Sequence, residues 1–281
     1  MTRVIKIGGN EMNTPGFLEA LARQVADLTA GTGEPLVIVH GGGQEIATLQ
    51  SRLGIEPVKV DGLRVTDAES LAVAQMVLSG HTNKAIVRAF LAEGLDAVGF
   101  SGVDGGLLRC RKKQHPTADL GLVGEIVSVR TDFLNHFAAQ GIIPVISPIS
   151  LSEDGQTYNV NADEAAGAIA GAMAATTLDF VSNVPGVLHA GSVLERLTPA
   201  DADRLIAEGI VNGGMIPKVR TALDALARGV SRVRIVNLAG LSNDGGTVFE
   251  SETMLGNSKQ YTVNSNQFAA LFNGNIANQT L

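Results

Sequence analysis

The sequence holds one cysteine, Cys110, which excludes an internal disulfide framework and a cysteine-rich zinc site. Ordinary packing inside a strand is the expected role of that thiol. Positive charge is also in short supply: 21 Lys and Arg stand against 28 Asp and Glu, a net charge of −7. That balance argues against nucleic acid or an anionic membrane surface as a partner, while leaving room for a local basic pocket. No apolar run approaches the roughly 18 residues of a membrane span, and the first residues lack the apolar core of a signal peptide. A cytoplasmic location is the expectation. Neither common phosphate fingerprint occurs at the glycine turns described below, because Lys6 precedes Gly8 and Gly9 and no Gly-x-Gly-x-x-Gly is present there. An acid, Asp61, does follow the second turn, but it sits in a hairpin turn of its own. A nicotinamide dehydrogenase is thereby disfavoured.

What the chain does have is globular composition: 281 residues, 45% hydrophobic and 17% charged. It can bury a substantial core as one large α/β domain or as two lobes. The 33 glycines and 9 prolines are spread along the chain and read as turns. The organising stretch is Leu36-Val37-Ile38-Val39-His40-Gly41-Gly42-Gly43, an apolar run that stops in three glycines before helical sequence. Such a run reads as a strand buried on both faces. Glycines at its carboxyl end bring backbone N–H groups close to a ligand, and the next helix points its positive dipole end at the same place. Val4-Ile5-Lys6-Ile7-Gly8-Gly9-Asn10 repeats the device with a lysine inside it. Two glycine-ended strands, one carrying a cation, predict two sides of one phosphate site.

Along the rest of the chain, apolar periodicity predicts helices over 16–30, 44–53, 131–140, 199–208 and from 213 to 228. A long helical region is expected over 67–93, interrupted at Ser79-Gly80. Strands are expected over 97–100, 142–147, 178–182 and 233–237. Asp61-Gly62 and Asp154-Gly155 mark hairpin turns, and 107–113 pairs with 122–130. An alanine-rich helix running to residue 175 suits close packing under a site. Alternation of strands and helices predicts an α/β fold with a mainly parallel sheet covered on both faces. Ligands of such sheets lie beyond the carboxyl ends of the strands, where His40, Gly41, Gly8, Ser101 and Asn183 fall. Residues 251–281 are rich in Asn, Gln, Ser and Thr, and read as a loosely attached extension.

Single residues carry weaker signals. Arg64, beside a turn, has the planar fork that grips a carboxylate, and a solvated surface arginine is the plain alternative. In Asn159-Val160-Asn161-Ala162-Asp163, alternation puts both asparagines on one strand face, where they require a polar partner. Asp163 then falls at a helix start, where an N-cap carboxylate is the bland explanation. Lys218 stands near the start of a helix, against the dipole, which fits a need to face an anion. His40 either orients backbone or does chemistry. No Ser-His-Asp or Cys-His arrangement can be argued from the sequence.

Five motifs in this order resemble the acetylglutamate kinases of the amino acid kinase family: Lys6-Ile7-Gly8-Gly9, Val39-His40-Gly41-Gly42-Gly43, Gly62-Leu63-Arg64-Val65-Thr66, Asn159-Val160-Asn161-Ala162-Asp163 and Gly214-Met215-Ile216-Pro217-Lys218-Val219. The resemblance runs over residues 4–249. It implies a three-layer αβα sandwich, with residues 1–175 binding an acyl amino acid and dimerising and residues 176–250 binding ATP. The implied reaction phosphorylates the side-chain carboxylate of a small-molecule substrate, N-acetylglutamate, with Mg²⁺ assistance and with no protein metal ligands assigned. By the same resemblance Lys6 and Lys218 neutralise the transferring phosphoryl group, and Asp163 orients both lysines. Gly8, Gly9, Gly41 and Gly42 hold its oxygens, with Gly42 also beside the substrate. Arg64 and Asn159 bind the substrate's α-carboxylate and neighbouring groups, with Asn161 close by. Ser182, Asn183, Gly186 and Lys218 belong to the nucleotide side.

Two features leave the substrate and assembly open. Ser79-Gly80-His81-Thr82-Asn83-Lys84 and Ser101-Gly102-Val103-Asp104-Gly105 also look like the kinases of carrier-linked or N-acetylated aminoadipate in lysine synthesis. The chain starts directly at its first strand, without the extra helix of hexameric, arginine-inhibited members, so a homodimer without arginine feedback is expected. A non-catalytic amino-acid or nucleotide sensor on the same fold is the alternative of a different class. It predicts loss of a catalytic lysine or of Asp163, all of which are present.

Overall fold

The computed structural model describes residues 2–243 and 245–250. The tail at 251–281, expected as a loose extension, lies outside the described residues. Strands and helices alternate through the chain. The first half contains β1 (Arg3–Ile7), α1 (Gly9–Met12), α2 (Phe17–Thr32), β2 (Leu36–His40), α3 (Gly43–Arg52), β3 (Lys59–Val60), β4 (Leu63–Arg64), α4 (Ala68–Gln75), α5 (Asn83–Ala92), β5 (Ala97–Ser101), β6 (Leu108–Lys112), β7 (Val123–Val129) and α6 (Thr131–Ala138). There follow β8 (Ile143–Ser147), β9 (Ile149–Leu151), β10 (Thr157–Val160), α7 (Ala162–Ala172), β11 (Thr177–Val181), β12 (Leu188–His189), β13 (Ser192–Val193), β14 (Arg196–Leu197), α8 (Pro199–Ala207), α9 (Met215–Ala227), β15 (Arg232–Val236) and β16 (Thr247–Phe249).

Eight strands form the central sheet in the order β14-β16-β15-β11-β1-β2-β8-β5. All neighbours are parallel except β15 and β16. The alternation of β1 and β2 builds the layers. Val4, Val37 and Val39 join one core with α6, α7, α8 and α9, while Ile5, Ile7, Leu36 and Ile38 join another with α2 and α5. Each such fully buried aliphatic side chain contributes about 1.5–3 kcal/mol. The expected αβα sandwich is the observed one. Alternation also places Lys6 on the side of Val4, toward α7.

One buried ionic cluster crosses the middle of the sheet. Asp179 on β11 accepts from Arg3 Nε of β1 at 2.6 Å and from Arg234 Nε of β15 at 2.5 Å. Arg234 also donates to the Leu241, Asn243 and Gly245 carbonyls. A buried charge of this kind is tolerated because it is paired and hydrogen-bonded.

Three local outcomes differ from the sequence reading. Helix does not break at Ser79-Gly80; α4 passes into α5 through a π-helical segment, Met76–Thr82. Ser79 Oγ is tied to Ser147 Oγ at 2.8 Å, and a widened turn absorbs the residue that a break would have accommodated. The 107–130 hairpin is present as β6 and β7, but with β9 and β10 it closes a four-stranded barrel beside the sheet. The turn at Asp61-Gly62 forms as expected between β3 and β4, with both residues at positive φ (48° and 81°). The third difference concerns Asn161, which lies beyond the end of β10 and caps α7. Its Oδ1 accepts from the backbone of Asp163 at 2.8 Å and of Glu164 at 3.2 Å. Asn161, not Asp163, is the cap residue, and a helix cap fully accounts for one of the two asparagines. Among the described residues no helix is long and apolar enough to cross a membrane.

Candidate active site

The carboxyl ends of β1 and β2 open into a cavity of about 440 Å³. Its walls include Lys6, Gly8 and Gly9 from the first turn, Gly41 and Gly42 from the second, Arg64, Asn159, Asn161, Asp163 and Lys218. Residues drawn from five separate motifs therefore meet in one space.

The two glycine turns touch. Gly41 N donates to Ile7 O at 3.0 Å, and a Cβ on Gly9 would lie 2.8 Å from Gly43 N and 3.1 Å from Gly42 Cα. Both obstacles are backbone, so a side chain at Gly9 has no space. Helix α3 has Gly42 as its N-cap and no side-chain cap, which leaves its first N–H groups available to an anion.

Cations flank these turns. Lys6, almost wholly buried, is held by Asp163 at 2.7 Å. Lys218 enters from the first turn of α9 and donates to Ser182 Oγ. Burial pushes the Lys218 pKa below its usual value; Glu11 pulls it back up, Lys6 lowers it and Asp163 raises it. Two lysines lining one cavity suit a strongly negative ligand.

The opposite wall is built by Arg64 and Asn159. Arg64 donates through Nη1 to Gln50 Oε1 at 2.5 Å and through Nη2 to Gly43 O at 3.0 Å. Gln50 is itself buried and fixed by Ser70 Oγ at 2.9 Å. Asn159 donates to Thr66 Oγ1 at 3.3 Å. The arginine is a positioned donor rather than a solvated surface residue.

His40 supports the second turn without lining the cavity. Since Gly41 O can only accept, Nδ1–H donates to it at 2.9 Å, and Nε2 accepts from Asn83 Nδ2 at 3.2 Å. Burial, above all, pushes the His40 pKa down to about 4, with Lys84 lowering it further. A neutral ring in one tautomer orients backbone. Asn83 also donates to Val145 O at 2.9 Å and accepts from Lys84 Nζ at 2.8 Å.

On the nucleotide side the picture is less direct. Ser182 is buried beneath Lys218, and Asn183 is exposed at the end of β11 with its N–H on Glu11. Gly186 is pressed against Thr247 and Val193, where a Cβ would come within 2.8 Å of both. None of these three lines the cavity. Cys110 is buried in β6, as expected of strand packing. In the two motifs shared with aminoadipate kinases several side chains are spent on other parts of the fold: Ser79 bonds Ser147, Asn83 bonds His40, and Ser101 bonds Asp104 through N and Oγ at 2.7 and 2.8 Å. Sequence reasoning missed Glu11 and Gln50. Their partners lie far away in the chain, and nothing in local spacing marks them.

The profile of the Amino acid kinase family matches residues 1–237. The chain belongs to the amino acid kinase family. Curated relatives of this amino acid kinase are acetylglutamate kinases. That of Roseiflexus sp. (strain RS-1) is 52% identical over 248 residues, covering 88% of this chain and 93% of the relative. That of Chloroflexus aurantiacus (strain ATCC 29366 / DSM 635 / J-10-fl) is 52% identical over 247 residues, covering 88% and 95%. Among solved structures, N-acetylglutamate synthase from Neisseria gonorrhoeae, complexed with coenzyme A and N-acetyl-glutamate, superposes with a TM-score of 0.79 at 26% identity. That match covers 89% of this chain and 59% of the synthase.

Proposed function

We propose that this amino acid kinase transfers the γ-phosphoryl group of ATP to the side-chain carboxylate of N-acetyl-L-glutamate, as in arginine biosynthesis. The observation that carries the reading is one cavity with a cationic, glycine-walled end and a facing arginine–asparagine wall. Curated acetylglutamate kinases at 52% identity over most of their length support the substrate.

In this reading Arg64 and Asn159 hold the α-carboxylate and its neighbouring groups, with Asn161 setting the start of α7 beside them. The side-chain carboxylate then points at the glycine turns. Its oxygen attacks the γ-phosphorus, the bond to the bridging oxygen breaks, and ADP leaves with that electron pair. A carboxylate is already ionised at neutral pH, so no general base is needed. The chain's task is positioning and charge stabilisation. Backbone N–H groups at Gly8, Gly9, Gly41 and Gly42 receive the equatorial oxygens. Lys6 and Lys218 neutralise the charge that develops on either side, and Asp163 keeps Lys6 aimed between strand and cavity.

Mg²⁺ bound with the nucleotide would supply further neutralisation of the phosphates. Two carboxylates line the cavity that would receive the phosphates. Carboxylates of the cavity wall, Glu11 and Asp163, are engaged by Asn183 and Lys6. Residues 1–175 would carry the acyl amino acid and 176–250 the nucleotide, with Ser182, Asn183 and Gly186 shaping the nucleotide side beneath Lys218. A homodimer belongs to the same reading. A coupled ADP-release assay with acetylglutamate, glutamate and acetylaminoadipate tests the reading. Release dependent on acetylglutamate and Mg²⁺ is expected; preference for acetylaminoadipate would refute it.

A further inference from the structure

His40 is wholly buried as the last residue of β2, directly before the second glycine turn. Both of its ring nitrogens are engaged, Nδ1 with Gly41 O at 2.9 Å and Nε2 with Asn83 Nδ2 at 3.2 Å. The partners fix the direction of each bond. A carbonyl oxygen can only accept, so Nδ1 carries the proton. Asn83 Nδ2 also donates to Val145 O at 2.9 Å, and its Oδ1 accepts from Lys84 Nζ at 2.8 Å. The amide therefore cannot turn over to offer its oxygen to the ring. Burial keeps the imidazole neutral, so a single tautomer fits.

The bond to Gly41 O also orients the next N–H. Carbonyl and N–H of a trans peptide point in opposite directions. With Gly41 O held on the ring, the Gly42 N–H is turned away from His40. Gly42 N lies on the side of the first turn, 3.1 Å from where a Cβ on Gly9 would stand. Gly9, Gly41 and Gly42 all line the cavity. A peptide between two glycines has wide conformational freedom, so its orientation must be supplied from outside.

We infer that His40 is a positioning residue acting through the Gly41–Gly42 peptide, its tautomer held by Asn83, and that it keeps the Gly42 N–H presented to the phosphoryl group. The inference deepens the proposed function and rests on it for the identity of the group received. Without the ring's donor the peptide can turn over. A carbonyl oxygen would then face the anion where a donor is required.

Two substitutions each keep half of the network. His40→Asn can place an amide N–H where Nδ1–H was, and gives up the link to Asn83. His40→Gln carries its amide one atom further, toward Asn83, and gives up the donor to Gly41 O. The kcat of His40→Gln should lie about tenfold below that of His40→Asn, part of the 100- to 1,000-fold lost with a whole oxyanion donor, while both KM values change far less. Loss of stability alone would not give that order, since His40→Gln retains the buried link. Amide proton–nitrogen spectra read the peptide without turnover: the Gly42 resonance should move in His40→Gln and stay near wild type in His40→Asn. Imidazole nitrogen spectra of wild type should show Nδ1 protonated and Nε2 bare. Equal kcat in the two variants, an unmoved Gly42 amide in His40→Gln, or a protonated Nε2 in wild type overturns the inference. If only one variant folds, its Gly42 amide decides. If wild type ignores acetylglutamate while that amide still moves only in His40→Gln, the substrate assignment fails and the role of His40 stands.

Discussion

Lys6 Nζ stands 2.7 Å from the Asp163 carboxylate, and the same carboxylate attracts Lys218. Asp163 thus acts on both ammonium groups of the cavity, which Glu11 also lines. Asp163→Asn preserves shape and removes that charge, leaving Lys6 and Lys218 to repel each other. We expect kcat to fall about 100- to 1,000-fold, the scale of losing one preorganised electrostatic contact, with KM values changed far less. Steady-state kinetics with both substrates varied checks this. Lys218→Ala should abolish turnover while the circular dichroism spectrum stays native.

Arg64 is aimed by Gln50 and by the Gly43 carbonyl. Arg64→Ala should raise KM for acetylglutamate about 10- to 100-fold, as expected for a charged hydrogen bond of about 1.5–3 kcal/mol. KM for ATP should hold. Gln50→Ala should produce the same selectivity at smaller amplitude, since the guanidinium remains but is less constrained.

Contact between the glycine turns gives a steric prediction. Gly9→Ala would press a methyl onto the backbone of Gly42 and Gly43, which cannot turn aside. The turns must separate, and kcat should drop sharply. Gly43→Ala meets open space, so its thermal midpoint should stay close to wild type while that of Gly9→Ala falls.

Burial holds His40 neutral, with its pKa pushed down to about 4 from 6.5. The unfolded chain therefore takes up this proton near pH 6.5, and the folded chain only near pH 4. Stability from this group is complete above about pH 6.5 and declines as pH falls toward 4, by about 3 kcal/mol over the full range. The stability advantage of wild type over His40→Gln, measured by urea unfolding, should shrink between about pH 7 and about pH 4.5. A constant difference would contradict the assignment.

Asp179 pairs with both Arg3 and Arg234 inside the sheet. Asp179→Ala strands a buried guanidinium and should cost about 3–5 kcal/mol. Thermal unfolding measures this directly, and the catalytic constants below the transition should move little, because the cluster lies away from the cavity walls.

Much of this architecture was legible because it is local. Apolar runs ending in glycine marked β1 and β2, and alternation within β1 sends Lys6 toward α7. Asp61-Gly62 announced its hairpin through the positive φ it must adopt. What escaped was long-range or depended on where an element stops. Asn161 was read as a strand residue because alternation was carried one position too far; β10 ends at Val160, and the side chain turns back to cap α7. The π-helical segment cannot be seen in a period, because a serine–glycine pair reads as a break whether or not tertiary contacts carry the helix through it. Closure of the four-stranded barrel depends on the pairing of β6 with β9, and Glu11 and Gln50 depend on partners brought near only by the sheet.

The central claim is transfer of a phosphoryl group onto a carboxylate, and trapping with hydroxylamine tests it most directly. Wild type with ATP, Mg²⁺ and N-acetyl-L-glutamate should yield one hydroxamate for each ADP released, and Lys218→Ala should yield neither. ADP release without hydroxamate, or hydroxamate formed equally well without acetylglutamate, would contradict the account.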